Sequence, residues 1–151
     1  MDHYFCKEFA VAYGMPEAVL FYHIAFWTFE NKKNEINSHD GRHWMYGSIR
    51  ELHETTHPYL SENQIRDALK RLEAEGLILT GCYNKKKYDR TKWYTLSDEG
   101  HRIYAETQIL LSKNQNGTDE KHKPIPIEER IKEAPPITIK EEKYCTTNNS
   151  N

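Results

Sequence analysis

Residues 48–76 read SIRELHETTHPYLSENQIRDALKRLEAEG, and the fold turns on them. Two helix starts are written into this stretch, 13 residues apart. Ser48-Ile49-Arg50-Glu51 and Ser61-Glu62-Asn63-Gln64 both have the capping-box form, in which the serine and the acid or amide three residues on satisfy orphan amides reciprocally. Leu60 and Ile65 are spaced as a hydrophobic staple for the second start. Behind it, Ile65, Ala68, Leu69 and Leu72 form one helical stripe, and Gly76 stands where a left-handed residue stops a helix. Between the two helices TTHPYL (55–60) is too short for anything except a turn.

The flanks extend this pattern. After Gly76, LILTGCY (77–83) and KWYTL (92–96) read as strands either side of NKKKYDRT, a β-hairpin with a basic tip. Ser97, followed by Asp98 and Glu99, opens a last helix with Ile103, Thr107, Leu110 and Leu111 on one face. On the N-terminal side HWMYG (43–47) reads as a short strand, preceded by a polar loop, KKNEINSHDGR. Before that loop a helix starts at Pro16 and runs to about Asn31, apolar nearly all round through Val19, Leu20, Phe21, Ile24 and Phe26. The order is helix, strand, helix, turn, helix, strand, loop, strand, helix. This predicts a mostly α fold with a small β-hairpin (α+β), a winged helix-turn-helix with flanking N- and C-terminal helices.

Of the 151 residues, 1–113 are expected to form this domain and 114–151 a polar, Pro-containing, disordered tail. The tail holds four of the six prolines and a single aromatic, Tyr144, so too little apolar burial offsets its chain entropy. The low apolar fraction of 37% and mean hydropathy of −0.90 agree with an unfolded portion. Within the tail, IEERIKEA (127–134) is either plain solvated chain or a short helix for a protein partner. No run approaches the roughly 18 apolar residues that cross a bilayer, and the N-terminus lacks a signal-peptide pattern. Three cysteines, Cys6, Cys82 and Cys145, form no spacing motif. They read as a reducing, cytoplasmic chain without a disulfide frame.

Charge is unevenly distributed although the formal total is only −2. Residues 66–92 carry eight Lys/Arg against four Asp/Glu, whereas residues 1–65 carry five against nine. In a helix-turn-helix the second helix enters the major groove. Here the face opposite the apolar stripe presents Asn63, Gln64, Arg66, Asp67, Lys70 and Arg71, with Ser61 at the helix start as a phosphate contact. The hairpin adds Lys85, Lys86, Lys87, Arg90 and Lys92, cations suited to a phosphate backbone. The expected ligand is double-stranded DNA. Asp89 and Arg90 either brace the loop as an ion pair or leave Arg90 to a phosphate. Trp93 and Tyr94 are expected in core or cross-strand packing.

The run from Ser48 to Leu96, most specifically Tyr88-Asp89-Arg90-Thr91-Lys92-Trp93-Tyr94, resembles the N-terminal winged-helix domain of phage and plasmid replication proteins, the replisome organisers and initiators. The resemblance covers about residues 4–100. It implies origin recognition as the function. Those proteins carry a further domain that recruits helicase-loading factors; only the short tail follows here, and it is the segment left for a replication-protein partner. Operator binding by a transcriptional regulator requires the same surface, and a winged helix that binds protein in place of DNA is the reading from another class.

Other chemistries find little in the sequence. His39/His43 and His53/His57 have four-residue spacing, but no cysteine or paired carboxylate completes a site, so surface histidines and no metal are expected. No Gly-rich phosphate loop, HExxH or nucleophile elbow is present, and neither catalysis nor a cofactor is expected. Phe21, Tyr22, Phe26 and Phe29 exceed what a core of this size needs. They either cover the N-terminal segment YFCKEFAVAY or pair with the last helix of a second copy in a homodimer.

Overall fold

The computed structural model describes residues 2–115, so residues 116–151 of the expected tail, the 127–134 segment included, lie outside the described residues, while residues 114 and 115, expected in the tail, belong to the last helix. Within them the chain is α+β, with five α-helices and small antiparallel sheets. Helix α1 (Lys7–Tyr13) leads through Gly14 into α2 (Met15–Lys33), which has Pro16 in its first turn, where a missing amide costs nothing. Leu20, Phe21, Ile24 and Ala25 of α2 are buried, because the helix is covered by α1 and by later elements together.

The stretch expected to be a polar loop contains a hairpin of strands β1 (Ser38–His39) and β2 (Arg42–His43). Asp40 and Gly41 turn it, with φ of 51° and 75°. Positive φ at both central residues is the primed turn that matches strand twist, which Asp-Gly favours.

Strand β3 (Met45–Tyr46) precedes α3 (Ile49–Glu51), where Ser48 Oγ accepts from the Glu51 amide at 3.1 Å. The helix then widens into a π turn over Leu52–Thr56, closed by the His57 amide on the Leu52 carbonyl at 2.6 Å. Helix α4 (Glu62–Ala74) starts on the expected capping box, with both of its hydrogen bonds formed, and buries the stripe Ile65, Ala68, Leu69 and Leu72. Each of the three larger side chains contributes roughly 1.5–3 kcal/mol. Gly76 ends it with φ of 72°, and the Leu77 amide reaches back to the Leu72 carbonyl at 3.0 Å.

Strands β4 (Ile78–Gly81) and β5 (Trp93–Leu96) pair antiparallel, and β3 pairs with the other edge of β5, giving the order β3-β5-β4. Register is set by Thr80 opposite Tyr94 and by Met45 opposite Tyr94 from the other side. Helix α5 (Asp98–Gln115) follows. Buried Ser97 joins it to the end of α4: its hydroxyl donates to the Gly76 carbonyl at 2.5 Å and accepts from the Gly100 amide at 2.9 Å.

The aromatic side chains of α2 find partners within the chain. Phe21 stacks on Phe9 of α1 at 4.6 Å between ring centres, and Tyr22 and Phe29 meet Tyr104 of α5 at 5.8 and 5.4 Å. Among the described residues no helix is long and apolar enough to cross a membrane. Cys6 is a buried free thiol.

Candidate nucleic-acid interface

Helix α4 is strongly two-faced. Opposite its buried stripe, Ser61, Asn63, Gln64, Arg66, Asp67, Lys70 and Arg71 are all exposed. The strand-connecting loop after β4 exposes Lys85, Lys86, Lys87, Arg90 and Lys92. All twelve candidate side chains are therefore on the surface, but they are not equally free.

Ser61 Oγ accepts from the Gln64 amide at 3.1 Å, and Gln64 Oε1 accepts from the Ser61 amide at 2.9 Å. These two side chains hold the helix start, which leaves the Gln64 NH2 group as its outward donor. Asn63 Oδ1 accepts from Arg66 Nη1 at 2.8 Å, so the guanidinium is pre-oriented along the exposed face. Arg71 leans toward Glu17 of α2, with 3.8 Å between Nη1 and Oε1. Asp67 adds an acceptor, useful to a cytosine amino group and repelled by phosphate. Among the described residues no ion pair engages Lys70, Lys85, Lys87, Arg90 or Lys92.

The loop is held by hydrogen bonds that its basic side chains do not supply. Asn84 Nδ2 donates to the carbonyls of Asp89 and Thr91 at 2.9 and 2.8 Å, while Asn84 Oδ1 accepts the Trp93 indole N–H at 2.7 Å. Asp89 Oδ1 accepts from the Thr91 amide at 3.0 Å and from its hydroxyl at 2.7 Å. These bonds, the backbone one foremost, hold the Asp89 carboxyl below the usual carboxylate range. The expected alternative of an Asp89–Arg90 brace is corrected: Asp89 braces the loop through Thr91, and Arg90 is exposed. Trp93 and Tyr94 are buried, as expected. Tyr88 is exposed at the tip, with Lys86 Nζ 5.9 Å from its ring centre.

The β1–β2 hairpin supports the loop base. Tyr83 stacks flat on His39 at 4.3 Å and donates its phenol to Asp40 Oδ2 at 2.6 Å. Partial burial and that acceptor push the Tyr83 phenol pKa well above its ordinary value, so it stays a donor. Sequence reasoning missed both Asn84 and this hairpin. The Asp40-Gly41 pair was a signal for the hairpin, but two-residue strands carry no readable periodicity.

Comparison with protein-family models, with curated proteins and with solved structures gives no match.

The histidines depart from expectation. His39 packs on Tyr83 as described, and His43 Nδ1 lies 3.0 Å from the Ile36 carbonyl. His57 is fully buried, and His23 of α2 is nearly so at 5% exposure, correcting the expectation of surface groups for His57. Burial, and secondarily the neighbouring imidazoles, lower His23 to about 3 and His57 to about 4, so both rings are neutral near pH 7.

Proposed function

We propose that this chain binds double-stranded DNA through a winged helix-turn-helix. In this reading α3 and α4 are the helix-turn-helix, α4 enters the major groove, and the loop after β4 is a wing along the phosphate backbone. The observation that carries it is the exposed polar face of a doubly capped α4, followed in the chain by a hairpin whose loop exposes Lys85, Lys86, Lys87, Arg90 and Lys92. The strand order β3-β5-β4 supports it too, since β4 lies at an edge of the sheet and bonds to α4 through Thr80 Oγ1 and Glu73 Oε1 at 3.1 Å. Arg66, pre-oriented by Asn63, is the best candidate for a guanine edge, and the lysines suit phosphates. The resemblance to phage and plasmid replication proteins makes origin recognition the proposed role.

Selection of bound duplexes from a random pool at moderate salt tests this reading. An enriched motif that recurs as repeats near a replication origin supports it; a motif confined to a promoter moves the role to transcriptional control. Binding through about six phosphates should weaken with salt on a log–log slope near −5. No binding at any salt would sink the DNA reading and leave a protein-binding module.

A further inference from the structure

His3, His23 and His57 are far apart in sequence, yet one ring nitrogen of each lies within 4.8 Å of the others. His3 comes from the irregular segment before α1, His23 from the middle of α2, and His57 from the end of the π turn. The His3 and His57 rings stack at 4.5 Å between centres, and His23 meets His57 edge-on at 4.7 Å.

The hydrogen bonds around the cluster fix which atoms are free. Thr56 Oγ1 donates its hydrogen to the Leu52 carbonyl at 3.0 Å, so toward His57 Nδ1, 2.6 Å away, it acts as acceptor. His57 therefore carries its proton on Nδ1 and offers a lone pair on Nε2. That Nε2 is buried and has no hydrogen-bond partner, and the same holds for Nδ1 of His23. Two unpartnered buried nitrogens on rings packed edge-on against each other are costly unless something binds them. His3 Nδ1 is held at 2.6 Å by the Tyr59 hydroxyl. An outer hydrogen bond on the second ring nitrogen is what orients histidine ligands in metal sites. Simple ring packing would explain the stacking but would leave both orphan nitrogens unexplained. A π turn at this point is also notable, because such widened turns concentrate at functional sites.

We propose that His3, His23 and His57 bind one divalent transition-metal ion of the zinc class, with its fourth position open to solvent. Imidazole nitrogen suits zinc, cobalt, nickel or copper and not calcium or magnesium, which need oxygen ligands. Tetrahedral zinc with bonds of 2.0–2.1 Å holds its ligand nitrogens about 3.4 Å apart, so completing the site requires the cluster to close from separations of up to 4.8 Å and the His3 ring to turn out of its stack on His57. His3 can supply that closure, since its segment belongs to no helix or strand. A cavity of about 270 Å³ lined by Asp2, His3, Tyr4, Tyr22, His23 and Phe26 adjoins the cluster and provides the entry path and the open position. The ion would tie the N-terminal segment to α2 and to the turn that leads into α4. This inference is independent of the DNA reading.

The test uses the full chain without an affinity tag, stripped with a chelator and titrated with Co2+ and then Zn2+. The structure leads us to expect one equivalent of Co2+ bound with the visible absorption of a tetrahedral ion, displaced stoichiometrically by Zn2+. His3→Ala, a change in a segment outside every helix and strand that leaves the core intact, should weaken binding at least tenfold. Thr56→Val should cost about tenfold through loss of the hydrogen bond that orients His57. A His39→Ala/His43→Ala double variant should bind as the parent does. Binding no tighter than millimolar overturns the proposal, as does a parent-like affinity in both His3→Ala and His57→Gln. Loss of binding in the His39/His43 variant alone would likewise assign the metal to the surface hairpin and overturn it.

Discussion

The indole N–H of Trp93 and the amide oxygen of Asn84 share a 2.7 Å hydrogen bond. It ties the first residue of the second hairpin strand to a residue just past the first. With its two bonds to the Asp89 and Thr91 carbonyls, Asn84 determines the path of the loop that exposes the lysines. Asn84→Ala would leave a buried indole N–H unpaired, which costs about 1–3 kcal/mol. Urea unfolding should register that loss. On the proposed function, duplex affinity should fall several-fold with base preference unchanged. An affinity equal to the parent's would mean that loop order has no part in binding.

Charge and base reading should separate by position. Changing Lys85, Lys86 and Lys87 together to alanine removes phosphate contacts, so all duplexes should weaken alike and the salt slope should shrink by about 3. Arg66→Ala should instead relax discrimination at one base pair by about 1–3 kcal/mol. Gln64→Ala is expected to act first on stability, by about 1 kcal/mol, because its oxygen is committed to the Ser61 amide. Anisotropy titrations with matched and mismatched duplexes distinguish these outcomes. A triple lysine variant with the parent's salt slope would remove the loop from the interface.

The chain junction at Ser97 gives a sharper stability test. A Cβ at Gly100 would collide with the Leu77 carbonyl oxygen, a backbone atom with no room to move. Gly100→Ala should therefore destabilise by about 3 kcal/mol, the upper end of ordinary overpacking. Gly41→Ala faces open space and only a φ of 75°, so about 1 kcal/mol is expected. Equal unfolding midpoints for the two variants would contradict this account of the junction.

What the sequence disclosed and what it hid follow from range. The capping box at Ser61, the stripe Ile65–Leu72 and the stop at Gly76 are local, and they were readable because each is settled within four or five residues. The β4–β5 hairpin was readable too, from two apolar runs and a polar tip. Helix α1 escaped because seven residues leave little periodicity, and the π turn escaped because nothing in LHETT distinguishes it from an α-helical turn. Within the candidate interface, exposure was legible, but the pairing of Asp89 with Thr91 and not Arg90 was not, since both neighbours can satisfy a carboxylate. The histidine cluster was invisible for a stronger reason. Its members are separated by 20 and 34 residues, and only the packing of the N-terminal segment and the turn on α2 brings them together.

Those buried rings predict an acid response of definite sign. His23 titrates at about 3 and His57 at about 4 in the folded chain, against an ordinary value of about 6.5. Below pH 6.5 the unfolded chain therefore takes up protons that the folded chain refuses, and acidification favours unfolding. The stability is complete above about pH 6.5 and declines as the pH falls toward the folded values. At pH 4.5, two units into this window, the loss is on the order of 2.5 kcal/mol for each histidine. Urea unfolding of the chelator-treated full chain at pH 7.5 and 4.5 measures it. His57→Gln replaces a titrating ring with a neutral amide, so its stability should change less between the two pH values than the parent's. Identical pH dependence in the parent and in His57→Gln would show that these rings do not control acid stability.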